Sequence, residues 1–496
     1  MVHTTLSNSG YKFKKADVDP GVLQEIIKDL TVKPYVPGDF GGKKEVKFKV
    51  FMESPTKLYV PRFYGQERLG LPRETTMSPG DPIDLAFKGS LRPEQVPIED
   101  LYLKSAREIG GGLISLKCGG GKTVLGLHII ATLKVKALVV VHKDFLMTQW
   151  RDRIQEFLPG ARIGKIQQNT VDIEDKDIVL AMVQSLSMKE YPPGTFSSFG
   201  LSIFDECHHL GAEVFHRSMA KVAAAYSLGL SATPNRKDGL RKVFEWYIGP
   251  MVYMTTDKNH DHIETRIQEY YSDDPTYCKA ENMWNGKPCY PRMINNVCSH
   301  GPRRDFIISL ITEEHRLGRK ILVLADRRDY LDQTMDLLNQ GTEGSAGLYV
   351  GGMKAIELRE SQEKDIILGT FSMASEGMDI PKLNTIILAS PKSDVVQSVG
   401  RILREKASKR KFHPLVIDIK DIHPDLGFFQ KQCEKRIVYY KQQNHDISLL
   451  TMDGERSKIE KGGGGKGKGK GGKGGGKGKG GGKANEVFEM EYLMDD

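Results

Sequence analysis

The chain has 496 residues, 39% of them hydrophobic and 27% charged, with six cysteines and a formal net charge of +8. That length accommodates about two to four domains with real cores, and no apolar run approaches the ~18 residues of a membrane span. The first fifteen residues, MVHTTLSNSGYKFKK, lack the apolar stretch of a secretory signal, and the cysteines lack paired spacing; both point to a non-secreted, intracellular protein in a reducing compartment. Much of the charge sits at one end. Lys461–Lys483 holds eight lysines in near-pure glycine, and Ala484–Asp496 holds five acids and no base. Without those two segments the body carries +5, too little to argue a nucleic-acid partner from charge alone.

Residues 1–80 form an N-terminal accessory region. In Glu45–Met52 the side chains of Val46, Phe48, Val50 and Met52 alternate onto one side of a predicted strand. Lys57–Tyr64 is a second predicted strand, interrupted by Pro61. The turn Pro79, Gly80, Asp81, Pro82 marks the boundary.

Across 81–255, apolar runs alternate with helical patterns. The runs are Leu113–Leu116, Ala137–Val141, Ile163–Ile166, Ile178–Met182, Leu201–Phe204 and Ser227–Leu230. Runs of this kind predict a parallel sheet covered on both faces. Ligands of open α/β sheets sit at the carboxyl ends of the strands, so the residues that follow each run carry the chemistry.

After the first run comes a glycine loop, LISLKCGGGKT, and then a helical pattern through Leu125, Leu127, Ile129, Ile130 and Leu133. Gly119, Gly120 and Gly121 let backbone N–H groups approach phosphate oxygens, and the helix start adds its positive end. Lys122 is placed to reach the terminal phosphates, and the Thr123 hydroxyl to hold Mg²⁺. The usual pattern has glycine where this chain has Leu116. His142 and Lys143 follow the second run, Gln184 and Ser185 the fourth, and Ser231 to Pro234 the sixth. Asp205 and Glu206 follow the fifth. An acid directly after a strand can hold Mg²⁺, and its neighbour can orient and deprotonate a water.

Residues 256–300 break the alternation and read as an irregular connector between two sheets. Zinc binding by Cys278, Cys289, Cys298 and His300 is conceivable there, but no paired Cys spacing supports it. Alternation resumes in 301–455 with Ile321–Leu324, Gly347–Val350, Ile366–Leu368, Thr385–Leu388 and Leu415–Ile417, a second α/β domain without its own phosphate loop. If QSVGRILR is helical, Gln397, Arg401 and Arg404 share one face, and the arginines can neutralise a transferring phosphoryl group. Residues 456–496 are expected to be disordered, because glycine loses entropy on ordering and lysines repel. The lysines suit a phosphate backbone, and the acidic, aromatic end from Glu486 suits docking to a protein partner.

Taken together, these stretches resemble superfamily 2 helicases over roughly residues 80–420. FKGSLRPEQ, with Phe87, Arg92 and Gln95, looks like the adenine-reading segment. LKCGGGKT is similar to the phosphate loop of the XPB-like branch, where a cysteine such as Cys118 precedes the glycines. LVVVHKDFLMTQW, DECH, SATP, ILVLADRRDYLDQ, GTFSMASEGMDIP and QSVGRILR follow in the family's order. The entry segment KLYVPRFYG resembles that of helicases encoded by large cytoplasmic DNA viruses, relatives of the phage UvsW protein and the poxvirus transcript-release helicase.

The resemblance implies two tandem RecA-like domains that bind ATP and Mg²⁺. Glu206, Lys122, Arg401 and Arg404 would act in hydrolysis. Arg92, Gln95, Cys118, Gly119 to Thr123, Asp205, Gly377 and Asp379 would bind nucleotide. Ser231, Thr233 and Gln397 would couple hydrolysis to movement. His142, Lys143, Gln184, Ser185 and Thr370 would contact nucleic acid. Duplex DNA is the favoured substrate, with work in viral transcription or replication in the host cytoplasm or nucleus. An RNA helicase, the motor subunit of a restriction system and a non-catalytic nucleic-acid-binding protein are the alternatives.

Overall fold

The computed structural model describes residues 2–33, 47–117, 119–206, 212–232, 240–255, 262–286, 288–341, 345–378, 380, 382–405 and 409–459. The chain divides into two compact units, Met1–Asp257 with Ser372–Pro381, and Lys258–Phe371 with Lys382–Asp496.

The first unit is built on eight strands: β1 (Gly111–Ser115), β2 (Ala137–Val141), β3 (Ile163–Gln167), β4 (Thr170–Asp172), β5 (Ile178–Met182), β6 (Leu201–Asp205), β7 (Tyr226–Ser231) and β8 (Met251–Met254). Their order across the sheet is β4-β3-β5-β2-β6-β7-β1-β8. Every pairing is parallel except that of the edge strand β4. All residues of β1, β2 and β6 are buried, as continuous apolar runs require when both faces are covered. Successive residues of β2 divide between the faces. Leu138 and Val140 join one buried cluster, Val139 and Val141 the other. All five predicted runs after the first match strands to within one residue at either end; the first is shifted, because Gly111 and Gly112 are paired and Leu116 ends the run just outside β1.

The N-terminal region is a five-stranded sheet of Thr4–Ser7, Gly10–Lys14, Met52–Glu53, Lys57–Val60 and Glu74–Thr75, with helices Pro20–Asp29 and Arg62–Leu69. Its Tyr11, Phe13, Leu58 and Val60 share one buried cluster with Leu138, Val140 and Phe204 of the larger sheet. Two expectations need correction. The alternating run predicted over 45–52 is broken, among the described residues, into Phe48–Lys49 and Met52–Glu53 around a bend. The predicted strand Lys57–Tyr64 stops at Val60. Pro61 lacks an amide for the ladder, and its fixed φ starts the following helix instead.

The second unit carries β9 (Glu264–Tyr270), β10 (Ile321–Ala325), β11 (Ala346–Tyr349), β12 (Ile366–Thr370), β13 (Thr385–Leu388), β14 (Leu415–Asp421), β15 (Asp446–Leu450) and β16 (Arg456–Lys458). Their order is β11-β12-β10-β13-β14-β9-β15-β16, parallel apart from the β15–β16 hairpin. The expected connector therefore contains β9, a strand paired on both sides. Its polar alternation, ETRIQEY, hid it. Arg266 bonds Glu264 at 2.9 Å and also pairs with Glu314, so the charged side chains are neutralised where they lie. Two fully buried ion pairs, Arg303–Asp421 and Arg436–Asp418, each at 2.7 Å, brace β14. The glycine–lysine tail and its acidic end lie outside the described residues beyond 459.

Candidate active site

In the first unit, Ser115 of β1 pairs in register with Ser231 of β7, and Asp205 of β6 with Leu230. The carboxyl ends of β1, β6 and β7 thus reach one edge together. Leu116 continues β1 past its end. Its amide donates to the Ser231 carbonyl at 3.0 Å and its side chain is buried. A backbone still extended at that point has no need of glycine, which accounts for the departure from the usual loop pattern.

The loop then turns through Gly119 (φ +76°) and Gly121 (φ +75°), both left-handed and both favouring glycine. The helix Lys122–Leu133 begins at Gly121, and no side chain caps it. Its first amides are therefore available to an anion. A Cβ on Gly121 would stand 2.6 Å from Gln95 Nε2. Gln95, itself buried, donates from Nε2 to the Gly120 and Gly121 carbonyls at 3.1 and 3.2 Å, and Arg92 Nη1 donates to the Gly119 carbonyl at 3.2 Å. These two residues brace the glycine loop itself, a role their sequence pattern does not show. Phe87 stacks on Phe157, with ring centres 5.4 Å apart, and meets the His128 ring edge-on.

Asp205 ends β6, and Glu206 after it takes a left-handed backbone (φ +47°), a conformation that costs a non-glycine residue about 1–3 kcal/mol. The Glu206 carboxylate forms an ion pair with the Lys122 ammonium and also accepts from the Ala232 amide at 3.4 Å. It thereby ties the glycine loop to the end of β7. Asp205 is buried and accepts from Trp150 Nε1 at 2.8 Å. Burial, followed by the adjacent Glu206 charge, pushes the Asp205 carboxyl up to about 6, against the pull of Lys122 and Trp150. The Trp150 bond was not legible in the sequence, though a buried indole N–H must find an acceptor. Thr123 is half-buried on the first turn of the same helix. A hydroxyl and an uncomfortable buried carboxylate beside a glycine cradle suit a divalent cation with a phosphate chain.

A stability consequence follows from Asp205. An acid whose pKa is higher folded than unfolded costs nothing below its unfolded pKa, and its full cost appears above the folded value. Asp205→Asn is therefore expected to raise the thermal midpoint at about pH 7.5, without nucleotide or divalent cation, by up to about 3 kcal/mol of stability. The gain should shrink as pH falls from about 6 towards 4. A thermal-denaturation series against pH checks this.

The remaining predicted residues fall in three groups. Gln184 Nε2 donates to the His142 carbonyl at 2.9 Å, joining the ends of β5 and β2, and Ser185 Oγ accepts from the Gln168 amide at 2.9 Å. His142 is buried and Lys143 half-buried at the start of the next helix. Ser231 is buried at the end of β7. Cys118, Thr233 and Asp379 lie outside the described residues. In the second unit Thr370 ends β12, and Gly377, in the Ser372–Pro381 stretch that belongs to the first unit, ends the short helix Phe371–Gly377. The α-helix expected through Gln397, Arg401 and Arg404 is not continuous. An α-helix over Val396–Val399 gives way to a 3₁₀ turn, Gly400–Leu403, where residues three apart eclipse. Arg401 is buried and Arg404 half-buried.

Of the four residues for which zinc is conceivable, Cys298 and His300 lie in the core. Cys298 is buried, and burial pushes its thiol up to about 12, which disfavours the thiolate a metal needs. His300 lies against Tyr277 and Tyr270 in the same core. Among the described residues, Cys278 instead lies near His423 and Asp425, where His423 Nδ1 accepts from the Asp425 amide at 3.2 Å as a helix cap.

Residues 88–236 match the family described as type III restriction enzyme, res subunit, and residues 303–406 match the helicase conserved C-terminal domain. Over 455 residues the chain is 37% identical to "Putative ATP-dependent RNA helicase L396" of Acanthamoeba polyphaga mimivirus, covering 90% of this chain and 86% of that one. It is 24% identical over 442 residues to "Putative helicase 161L" of Invertebrate iridescent virus 6, covering 86% and 96%. Among solved structures, "The fragment structure of a putative HsdR subunit of a type I restriction enzyme from Vibrio vulnificus YJ016" shares the fold, with a TM-score of 0.51 at 17% identity over 75% of this chain and 71% of that one.

Proposed function

Since the chain belongs to the superfamily 2 helicases, close to those of large DNA viruses, we propose that it hydrolyses ATP at the β1–β6–β7 edge to move on duplex DNA. The observation that supports this reading most is the convergence at one phosphate loop of an uncapped helix start, the Lys122–Glu206 ion pair and the buried Asp205. Lys122 holds the terminal phosphates once it leaves Glu206. Glu206, released, takes the proton of the attacking water. Thr123 and Asp205 would hold Mg²⁺, which neutralises charge on the β- and γ-phosphates. Gln95 and Arg92 keep the loop open to the ligand through its outer carbonyls.

Arg401 and Arg404 supply the cation that offsets charge on the transferring group, and Ser231, Thr233 and Gln397 couple hydrolysis to movement. Arg401→Ala is expected to lower the maximal rate of hydrolysis by about 10³-fold while leaving nucleotide affinity within a few-fold. Lys in its place should restore little, because an ammonium lacks the planar fork. Steady-state rates beside nucleotide-binding titrations check both.

Phosphate-backbone contacts from His142, Lys143, Gln184, Ser185 and Thr370 would give little sequence preference. A second reading, an RNA helicase, is favoured by the name carried by the mimivirus relative. Hydrolysis measured with DNA and RNA as competing stimulants, with strand displacement on tailed duplexes of each, decides between them. Stimulation by RNA alone rejects the DNA reading, and stimulation by neither rejects the motor.

A further inference from the structure

The second unit contains a short β-hairpin that the helicase motifs leave unassigned. Asn282 and Pro288 form its antiparallel bridge. The Gly286 amide closes the tip by donating to the Met283 carbonyl at 2.9 Å, with Gly286 left-handed at φ +77°. Below the tip, the Cys289 amide donates to the Glu281 carbonyl at 2.7 Å. The next residue, Tyr290, anchors the hairpin's exit by donating to Asp326 at 2.6 Å and to the Pro391 carbonyl at 2.8 Å. The base is thus tied into the unit.

At that turn stands Trp284, 99% exposed. The other two tryptophans are placed quite differently. Trp150 is buried against Asp205, and Trp246 is half-buried with its ring edge-on to Tyr64. Leaving a whole indole in water forgoes one of the largest burial gains a side chain offers, so the position asks for a partner.

The surroundings indicate which kind. A protein-docking surface is a contiguous apolar patch, yet among the described residues of this turn, 282–286, the other large apolar side chain is Met283, itself 37% exposed. At the base, Lys279 and Arg292 flank the single acid Glu281, at 2.7 and 3.9 Å, with their own side chains 63% and 69% exposed. A lone ring on a tethered turn, beside a slight excess of cations, has the make-up of a contact that stacks on a base and meets its phosphate.

We infer that Trp284 is a base-stacking residue for unpaired nucleic acid, a contact that rests on the nucleic-acid motor reading above and adds a named residue to it. The stacked face is the same for DNA and RNA, so the contact is blind to sequence.

The test uses the full chain without nucleotide, so that Trp150 beside the phosphate loop stays undisturbed. Thymidine and uridine homopolymer strands and a blunt duplex are titrated while indole emission is followed. The difference between wild type and Trp284→Leu isolates the exposed indole. Strong quenching of that difference signal by the single strands, and weaker quenching by the duplex, is expected. Trp284→Ala should weaken single-strand affinity about 5- to 100-fold, and Trp284→Phe should recover part of it. Unchanged thermal midpoints would show that the variants fold, as an exposed side chain predicts. If wild type binds the strands but Trp284→Ala binds them equally well, the inference is overturned. If wild type binds no strand at all, the motor reading fails first, and the inference with it.

Discussion

Lys122→Ala is expected to reduce nucleic-acid-stimulated ATP hydrolysis by at least about 100-fold, because positioning and charge stabilisation supply most of the catalysis in phosphoryl transfer. The ammonium projects from the first turn of a helix that starts at a left-handed glycine without a side-chain cap. Removing it subtracts the cation at the helix start while leaving the backbone cradle intact. It also deprives the Glu206 carboxylate of its ion pair. The loss should therefore appear in nucleotide affinity as well as in turnover. Hydrolysis rates and binding of a fluorescent nucleotide analogue, both measured in Mg²⁺, check this. Full stimulated hydrolysis by Lys122→Ala would reject the assignment of the site.

Glu206→Gln should behave differently. Turnover is expected to fall about 10²- to 10⁴-fold, the usual contribution of a general base. Nucleotide affinity should hold or tighten, since the amide competes less well than a carboxylate for Lys122. The two variants together separate the roles of the pair. If Glu206→Gln weakened binding as much as Lys122→Ala does, Glu206 would serve only to hold the lysine. The strained backbone at Glu206 bears on the same point. Gly in its place would relieve the strain yet lose the carboxylate, so a gain in stability with loss of turnover would mark the strain as retained for function.

The strands of both parallel sheets were legible where their residues are apolar without interruption, as in Ala137–Val141 and Thr385–Leu388, which match the predicted bounds. Such segments can be satisfied only by burial on both faces. Strands with charged or mixed residues, β9 and β15 among them, were missed because their polar side chains find partners that lie far away in sequence. Glu264 meets Arg456 at 3.0 Å, and Arg266 meets Glu314. The α-helix predicted through Gln397, Arg401 and Arg404 is interrupted for a local reason. Two turns of helix carry too few bonds to enforce an α rather than a 3₁₀ pitch.

By itself the sequence determined the glycine loop after the first strand, the paired acids Asp205 and Glu206 at the end of β6 and the two alternating halves, because strand, glycine, lysine and acid recur at spacings that only local backbone geometry sets. Tertiary structure alone decided the rest. That Leu116 is tolerated, that Gln95 and Arg92 brace the loop, that Trp150 holds Asp205 and that Glu206 engages Lys122 are contacts between segments 25 or more residues apart. No spacing along a chain encodes such contacts, since they exist only once the sheet has brought its carboxyl ends to one edge.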